Sequence, residues 1–258
     1  MGFNYLEKKA IDAASDTSKG FLNKLLGPSA EELGNRLSNY VEKKLDESAF
    51  WGPLKKKQCE ENIIETLKTF ANEYSNIPEK DKKEISVNIV APIIDSLMTY
   101  FEEPNYKEMF GKLLAASFNR QKQKDIHPSF TEIIKQLNSL DAKLLIIIKE
   151  GSALPYVKLF GRNTDGSLTP FLPELFIYAG DKNYSEFDIV SSLENLERLK
   201  LITIRNDILC FAKEYETFKS RETYKIREQI LPPGAKIEMH KFRVELTQTG
   251  MNFVNVCC

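Results

Sequence analysis

His127, Pro128 and Ser129, followed by Phe130, Thr131 and Glu132, form the stretch whose residue types could do chemistry. A histidine two positions from a serine is a base beside a nucleophile, the pairing that acyl transfer requires. That chemistry also needs a third group to orient the ring and donors to hold an oxyanion. No G-x-S-x-G turn and no partner acid accompany the pair. Pro128 favours an extended approach into a helix over a strained nucleophile turn. The competing reading is a helix start. Ser129 and Glu132 have the S-x-x-E spacing of a capping box, in which each side chain accepts from the other residue's backbone N–H. Ile133, Ile134 and Leu137 then open an apolar face, and Asn138 and Ser139 break it. Asp141 places a negative charge in the first turn of the next helix, and Gly151 suits that helix's end. Capping gives every polar residue here a structural task, so Ser129 is expected to cap a helix, and no catalytic residue is assigned.

The rest of the chain offers less chemistry. Cys59, Cys210, Cys257 and Cys258 show no C-x-x-C spacing, and His127 and His240 are the only histidines. A zinc site would therefore need distant residues to assemble. There is no P-loop, no G-x-G-x-x-G and no H-E-x-x-H. Acidic pairs such as Glu31-Glu32, Glu60-Glu61 and Glu102-Glu103 sit on or beside helix faces, where solvated charge explains them. The expectation is a protein with no cofactor, no metal and no enzymatic activity.

The elements that position these residues are mostly helices. In "GPSAEELGNRLSNYVEKKL", Pro28 precedes a capping box made by Ser29 and Glu32, and Leu33, Leu37, Val41 and Leu45 recur every four residues. Ile63, Ile64, Leu67, Phe70, Ala71 and Tyr74 share one face. Ile93, Ile94, Leu97, Met98 and Phe101 share another, with Pro92 tolerable in a first turn. Met109, Phe110, Leu113, Leu114 and Ser117 repeat the pattern. Such stripes must pack on one another, which predicts a helical bundle over residues 1–124.

Residues 125–258 change style. Glycines and prolines between 152 and 184 read as loop. Ser185 and Asp188 offer an acidic capping pair to a helix striped by Ile189, Leu193, Leu196 and Leu199. Leu201, Ile202 and Ile204 are β-prone. Ile237 and Met239, then Phe242, Val244 and Leu246, alternate as in a half-buried strand, and a Thr-Gln-Thr-Gly turn follows. Helix, strand, returning strand and turn predict a winged-helix-like α+β domain, with a long insertion at about 205–236. The fold class is mainly α: a helical bundle followed by that domain.

The 258 residues suffice for a substantial core, and 42% apolar with 28% charged residues is ordinary for a globular chain. The net charge of −1 gives no global attraction to nucleic acid or acidic membranes. No charged-then-apolar leader opens the sequence, and apolar runs such as Leu144–Ile148 fall far short of the ~18 residues of a spanning helix. The expected location is the cytoplasm.

A resemblance follows from the same motifs. "HPSFTEIIKQLNSLDAKLL", with His127, Pro128, Ser129, Phe130 and Asp141, resembles the central motif of the abortive infection alpha family of bacterial proteins. "LLGPSAEELGNRL" resembles that family's Gly-Pro-x-Ala-Glu-Glu-Leu-Gly segment, with Ser29 where alanine is frequent. "VAPIIDSLMTYFEEPNYKEMFGKLLAASFN" resembles its paired helices. "VELTQTGMNFVNVCC" resembles its closing motif, which places Leu246, Thr247 and Gly250 among the family residues. The resemblance runs from about residue 10 to the end. It implies a role in phage defence, in which infected cells die or stop growing before phage matures, and it supplies no catalytic mechanism.

Three kinds of partner follow. A phage or host protein suits two near-neutral modules that present surfaces, and a homodimer would cover apolar stripes on short helices. DNA is disfavoured, because the candidate recognition helix carries Glu186, Asp188, Glu194 and Glu197 against Arg198 and Lys200. Residues 3–26 are amphipathic, with Lys8, Lys9, Lys19 and Lys24, and could lie on a membrane surface.

Overall fold

The structure, a computed structural model, describes residues 39–41, 43, 44, 46, 47, 52–83, 87–98, 104–178 and 183–258. The chain is mainly helical, with one small antiparallel sheet, and forms two compact units. The first takes the described residues up to Gln136 together with Asn255–Cys258, and the second takes Leu137–Val254.

In the first unit, α1 (Pro53–Ser75), α2 (Val87–Leu97) and α3 (Pro104–Ser117) are followed by the single turn α4 (Phe130–Ile134). Their buried faces follow the helical period: Cys59, Ile63, Leu67 and Phe70 on α1, Ile93, Ile94 and Leu97 on α2, and Met109, Phe110, Leu113 and Leu114 on α3. Helices α1 and α3 approach closely at Gly111, where a Cβ would lie 2.6 Å from the Thr69 Cβ and 2.8 Å from the Thr66 carbonyl oxygen. Phe70, Tyr74 and Phe118 close one end of this core, with Phe70 and Phe118 ring centroids 5.1 Å apart.

Pro92 corrects the sequence reading. It lies inside α2 rather than in its first turn, so the helix loses the N–H that would have reached back one turn. Ser96 Oγ donates to the Pro92 carbonyl at 2.6 Å, which binds the turn after the interruption.

In the second unit, α5 (Ser139–Gly151) leads into β1 (Ala153–Arg162) and β2 (Leu168–Phe176). Then come α6 (Glu186–Arg198), β3 (Ile202–Arg205), the short helices α7 (Ala212–Glu216) and α8 (Glu222–Gln229), β4 (Lys236–Leu246) and α9 (Gln248–Cys257), whose residues from Asn255 on count with the first unit. The sheet order is β2-β1-β4-β3, antiparallel throughout. The β1–β2 hairpin replaces the loop expected between 152 and 184. Its turn bonds Asn163 N–H to the Ser167 carbonyl at 2.9 Å, and Gly166 supplies the positive φ of 85°. The end of α5 also differs from expectation: Ser152, not Gly151, takes the left-handed position, with φ 63°.

The insertion forms the roof over one sheet face. Tyr215, Phe218 and Tyr224 pack on Val157, Leu159 and Leu175, with Ile237 and Met239 beside them. Val244, Tyr156 and Phe176 are buried on the opposite face. One continuous β4 therefore serves both faces, its first half packing the partly buried Ile237 and Met239 under the insertion and its second half burying Val244 on the other side. This explains why its apolar alternation changes phase between Met239 and Phe242.

Candidate functional site

The serine at the start of α4 does not cap it. Ser129 makes no side-chain bond to the helix. Its Oγ lies 2.7 Å from His127 Nδ1, and its backbone N–H donates to the same nitrogen at 3.1 Å. Glu132 accepts from Lys135 Nζ at 2.6 Å instead of reaching back to Ser129. The expected capping box is therefore absent, because the His127 ring competes locally for both Ser129 donors.

A backbone N–H can only donate, so Nδ1 is an acceptor and the ring proton resides on Nε2. The hydroxyl then donates to Nδ1 as a nucleophile would to its base. The surroundings do not extend the likeness. The ring is solvent-exposed beside Phe130, and no carboxylate among the described residues bonds to it. A base and nucleophile two residues apart on one exposed turn fix that turn, and Pro128 between them holds its φ.

Asp141 is the more constrained group. It is fully buried, and its neighbours supply donors to both oxygens. Asn138 N–H donates to Oδ2 at 2.9 Å, while Asp141 N–H donates to Asn138 Oδ1 at 2.9 Å, a reciprocal capping box at the head of α5. From α6, Ser192 Oγ donates to Oδ1 and Asn195 Nδ2 donates to Oδ2 at 2.7 Å. This carboxylate joins α5 to α6 and carries its charge on neutral donors. Ser185 and Asp188 form the capping box expected of α6, with the Asp188 carboxyl held low by the Ser185 hydroxyl and N–H.

The closing motif is equally structural. Leu246 pairs with Ile202 at the end of the sheet. Thr247 Oγ1 accepts from Gly250 N–H at 2.9 Å and donates to the Lys200 carbonyl at 2.6 Å. A Cβ on Gly250 would stand 1.8 Å from the Leu201 carbonyl oxygen, so only glycine fits there.

One polar cluster was not anticipated. Arg162 Nε donates to Glu238, and His240 Nε2 lies 2.8 Å from the other Glu238 oxygen. The bond from Arg162, then that from His240, holds the Glu238 carboxyl at about 2. The Glu-x-His spacing on a strand was the available signal, since i and i+2 share a face. No group of three or more possible metal ligands occurs among the described residues.

The sequence model for abortive infection alpha matches residues 59–257. The chain belongs to the abortive infection alpha family. Within the matched span lie His127, Pro128, Ser129, Phe130, Glu132, Asp141, Leu246, Thr247 and Gly250. Pro28, Ser29 and Glu32 lie outside both the matched span and the described residues, as does the segment 3–26. No curated protein matches this family member. A solved structure, that of the uncharacterized protein from the hydrocarbon-degrading marine bacterium Alcanivorax borkumensis SK2, is 16% identical with a TM-score of 0.32. The match covers 53% of this chain and 94% of that one, a likeness too low to inform the fold. No helix among the described residues is long and apolar enough to cross a membrane.

Proposed function

We propose that this chain is a cytoplasmic anti-phage protein that acts by abortive infection, as a sensor or effector, through contacts with a phage or host protein and without catalysis of its own. Family membership across residues 59–257 carries this reading. A surface loop supports the protein-contact part. Ile208, Leu209 and Phe211 are exposed side by side, Phe211 at 76%. Their backbone is nevertheless pinned. Cys210 N–H donates to Tyr215 Oη at 3.1 Å, Tyr215 Oη donates to the Phe242 carbonyl at 2.8 Å, and Phe211 N–H donates to Glu214 at 3.0 Å. Ordered apolar side chains held in water are a feature of interaction sites.

The order α6, β3, β4, α9 supports reading residues 125–258 as a winged-helix-like domain, interrupted at about 205–236 and preceded by a helical bundle over 1–124. In that reading α6 would be the recognition helix, and its exposed Asp188 and Glu194 favour a protein partner over a phosphate-lined groove. The test is Ile208→Ser with Phe211→Ser, assayed for protection of bacteria from phage. Protection lost with unchanged thermal stability supports the contact. Protection retained removes this loop from the mechanism.

A further inference from the structure

The sheet face opposite the insertion is covered along only part of its length. Toward α5 and α6 it is closed by buried Tyr156, Phe176 and Val244. Toward the hairpin end, register places Lys158 beside His240, Phe160 beside Glu238 and Arg162 beside Lys236 on the two central strands. Antiparallel partners share a face, so these side chains and Phe242 form one surface. Phe160 and His240 rings are 4.6 Å apart, and Lys158 Nζ stands 5.7 Å from the Phe242 ring centre. The side chains of Lys158 and His240 are each 40% exposed and that of Arg162 50%, with Phe160 and Phe242 half-buried and Lys236 exposed.

We propose that this half-face binds single-stranded nucleic acid. Three rings lie on adjacent central strands about 4.8 Å apart, and His240 and Phe242 are about 6.8 Å apart along their strand, a platform on which unpaired bases can stack. Lys158, Arg162 and Lys236 border the rings and meet the backbone phosphates. Lys158 is paired with Glu174 at 3.4 Å and Arg162 with Glu238, so these groups carry one excess positive charge, on Lys236, whereas the whole chain is slightly acidic. That local reversal of sign, one charge in size, favours a phosphate chain over an acidic surface of the same shape. A duplex hides its base faces and gains only the cations. The surface is separate from the exposed side of α6, and the inference stands on the sheet geometry alone, independent of the phage-defence reading.

The experiment is fluorescence anisotropy of the full chain with labelled 12-nucleotide RNA and DNA single strands, the same DNA as a duplex, and an acidic peptide, over a range of salt. Either single strand should bind more tightly than the duplex and the peptide, and binding should weaken as salt rises. Phe160→Ala and Phe242→Ala should each weaken it about tenfold, the effect of losing one stacked ring, and Phe187→Ala on α6 should leave it unchanged. Phe160→Trp keeps a stacking ring, so it should retain affinity, and base stacking should quench its fluorescence. No binding to either single strand overturns the proposal. So does equal binding of duplex or peptide, or full affinity in a folded Phe160→Ala protein.

Discussion

Asn195 on α6 donates to Asp141 on α5 at 2.7 Å, across 54 positions of sequence. The carboxylate also accepts from Ser192 and from its own cap partner Asn138, so one buried charge fixes the start of one helix and the placement of another. A motif residue that could pass for a catalytic acid is thereby committed to architecture.

Replacing Asp141 by Ala removes the acceptor of three donors, the buried Ser192 hydroxyl and the part-buried Asn138 N–H and Asn195 amide. The expected loss is about 3 kcal/mol, as for a hydrogen-bonded charged group removed from a buried site. Asp141→Asn should cost less, since one carbonyl oxygen remains. Urea denaturation checks both, and equal stability of Asp141→Ala and the parent would contradict the role given to this residue.

Gly250→Ala places a methyl group where the Leu201 carbonyl oxygen already stands, at 1.8 Å. Backbone must move, and the expected cost is about 4 kcal/mol or more, enough to prevent folding in a chain of ordinary stability. Soluble yield and the thermal midpoint report this directly.

Substituting His127 or Ser129 by Ala removes only an exposed turn contact. Each should change stability by less than about 1 kcal/mol and leave phage protection intact. Loss of protection in a stable Ser129→Ala protein would instead revive the base–nucleophile reading.

Glu238 gives a pH signature. Its carboxyl lies at about 2, against an ordinary 4.5, because Arg162 and His240 bond to the ionised form. A lowered native value means the contribution is fully present above about pH 4.5 and is lost as pH falls toward 2. Glu238→Gln should flatten that part of the stability profile and leave the neutral region little changed. Chemical denaturation at several pH values measures it.

Some of this architecture is legible in the residues themselves. Ser185 and Asp188 announce the head of α6, and the four-residue stripes of α1 and α3 give their buried faces, because local spacing decides both. Ser129 and Glu132 have the same spacing, yet the box fails where a histidine lies within reach of the serine. The β1–β2 hairpin was obscured by Gly161, Pro170 and Pro173, although Asn163 to Gly166 is a turn sequence between two apolar runs. Helices α7 and α8 were illegible for another reason. Tyr215, Phe218 and Tyr224 are buried by a sheet face that forms from strands far away in sequence.

The central claim is defence by abortive infection, and the most direct measurement is growth of bacteria expressing this chain after infection at low and at high phage multiplicity. The account predicts survival of the culture at low multiplicity and early arrest or collapse at high multiplicity, without release of phage. Phage yield and growth equal to the empty vector at both doses, across a diverse phage panel, would contradict it.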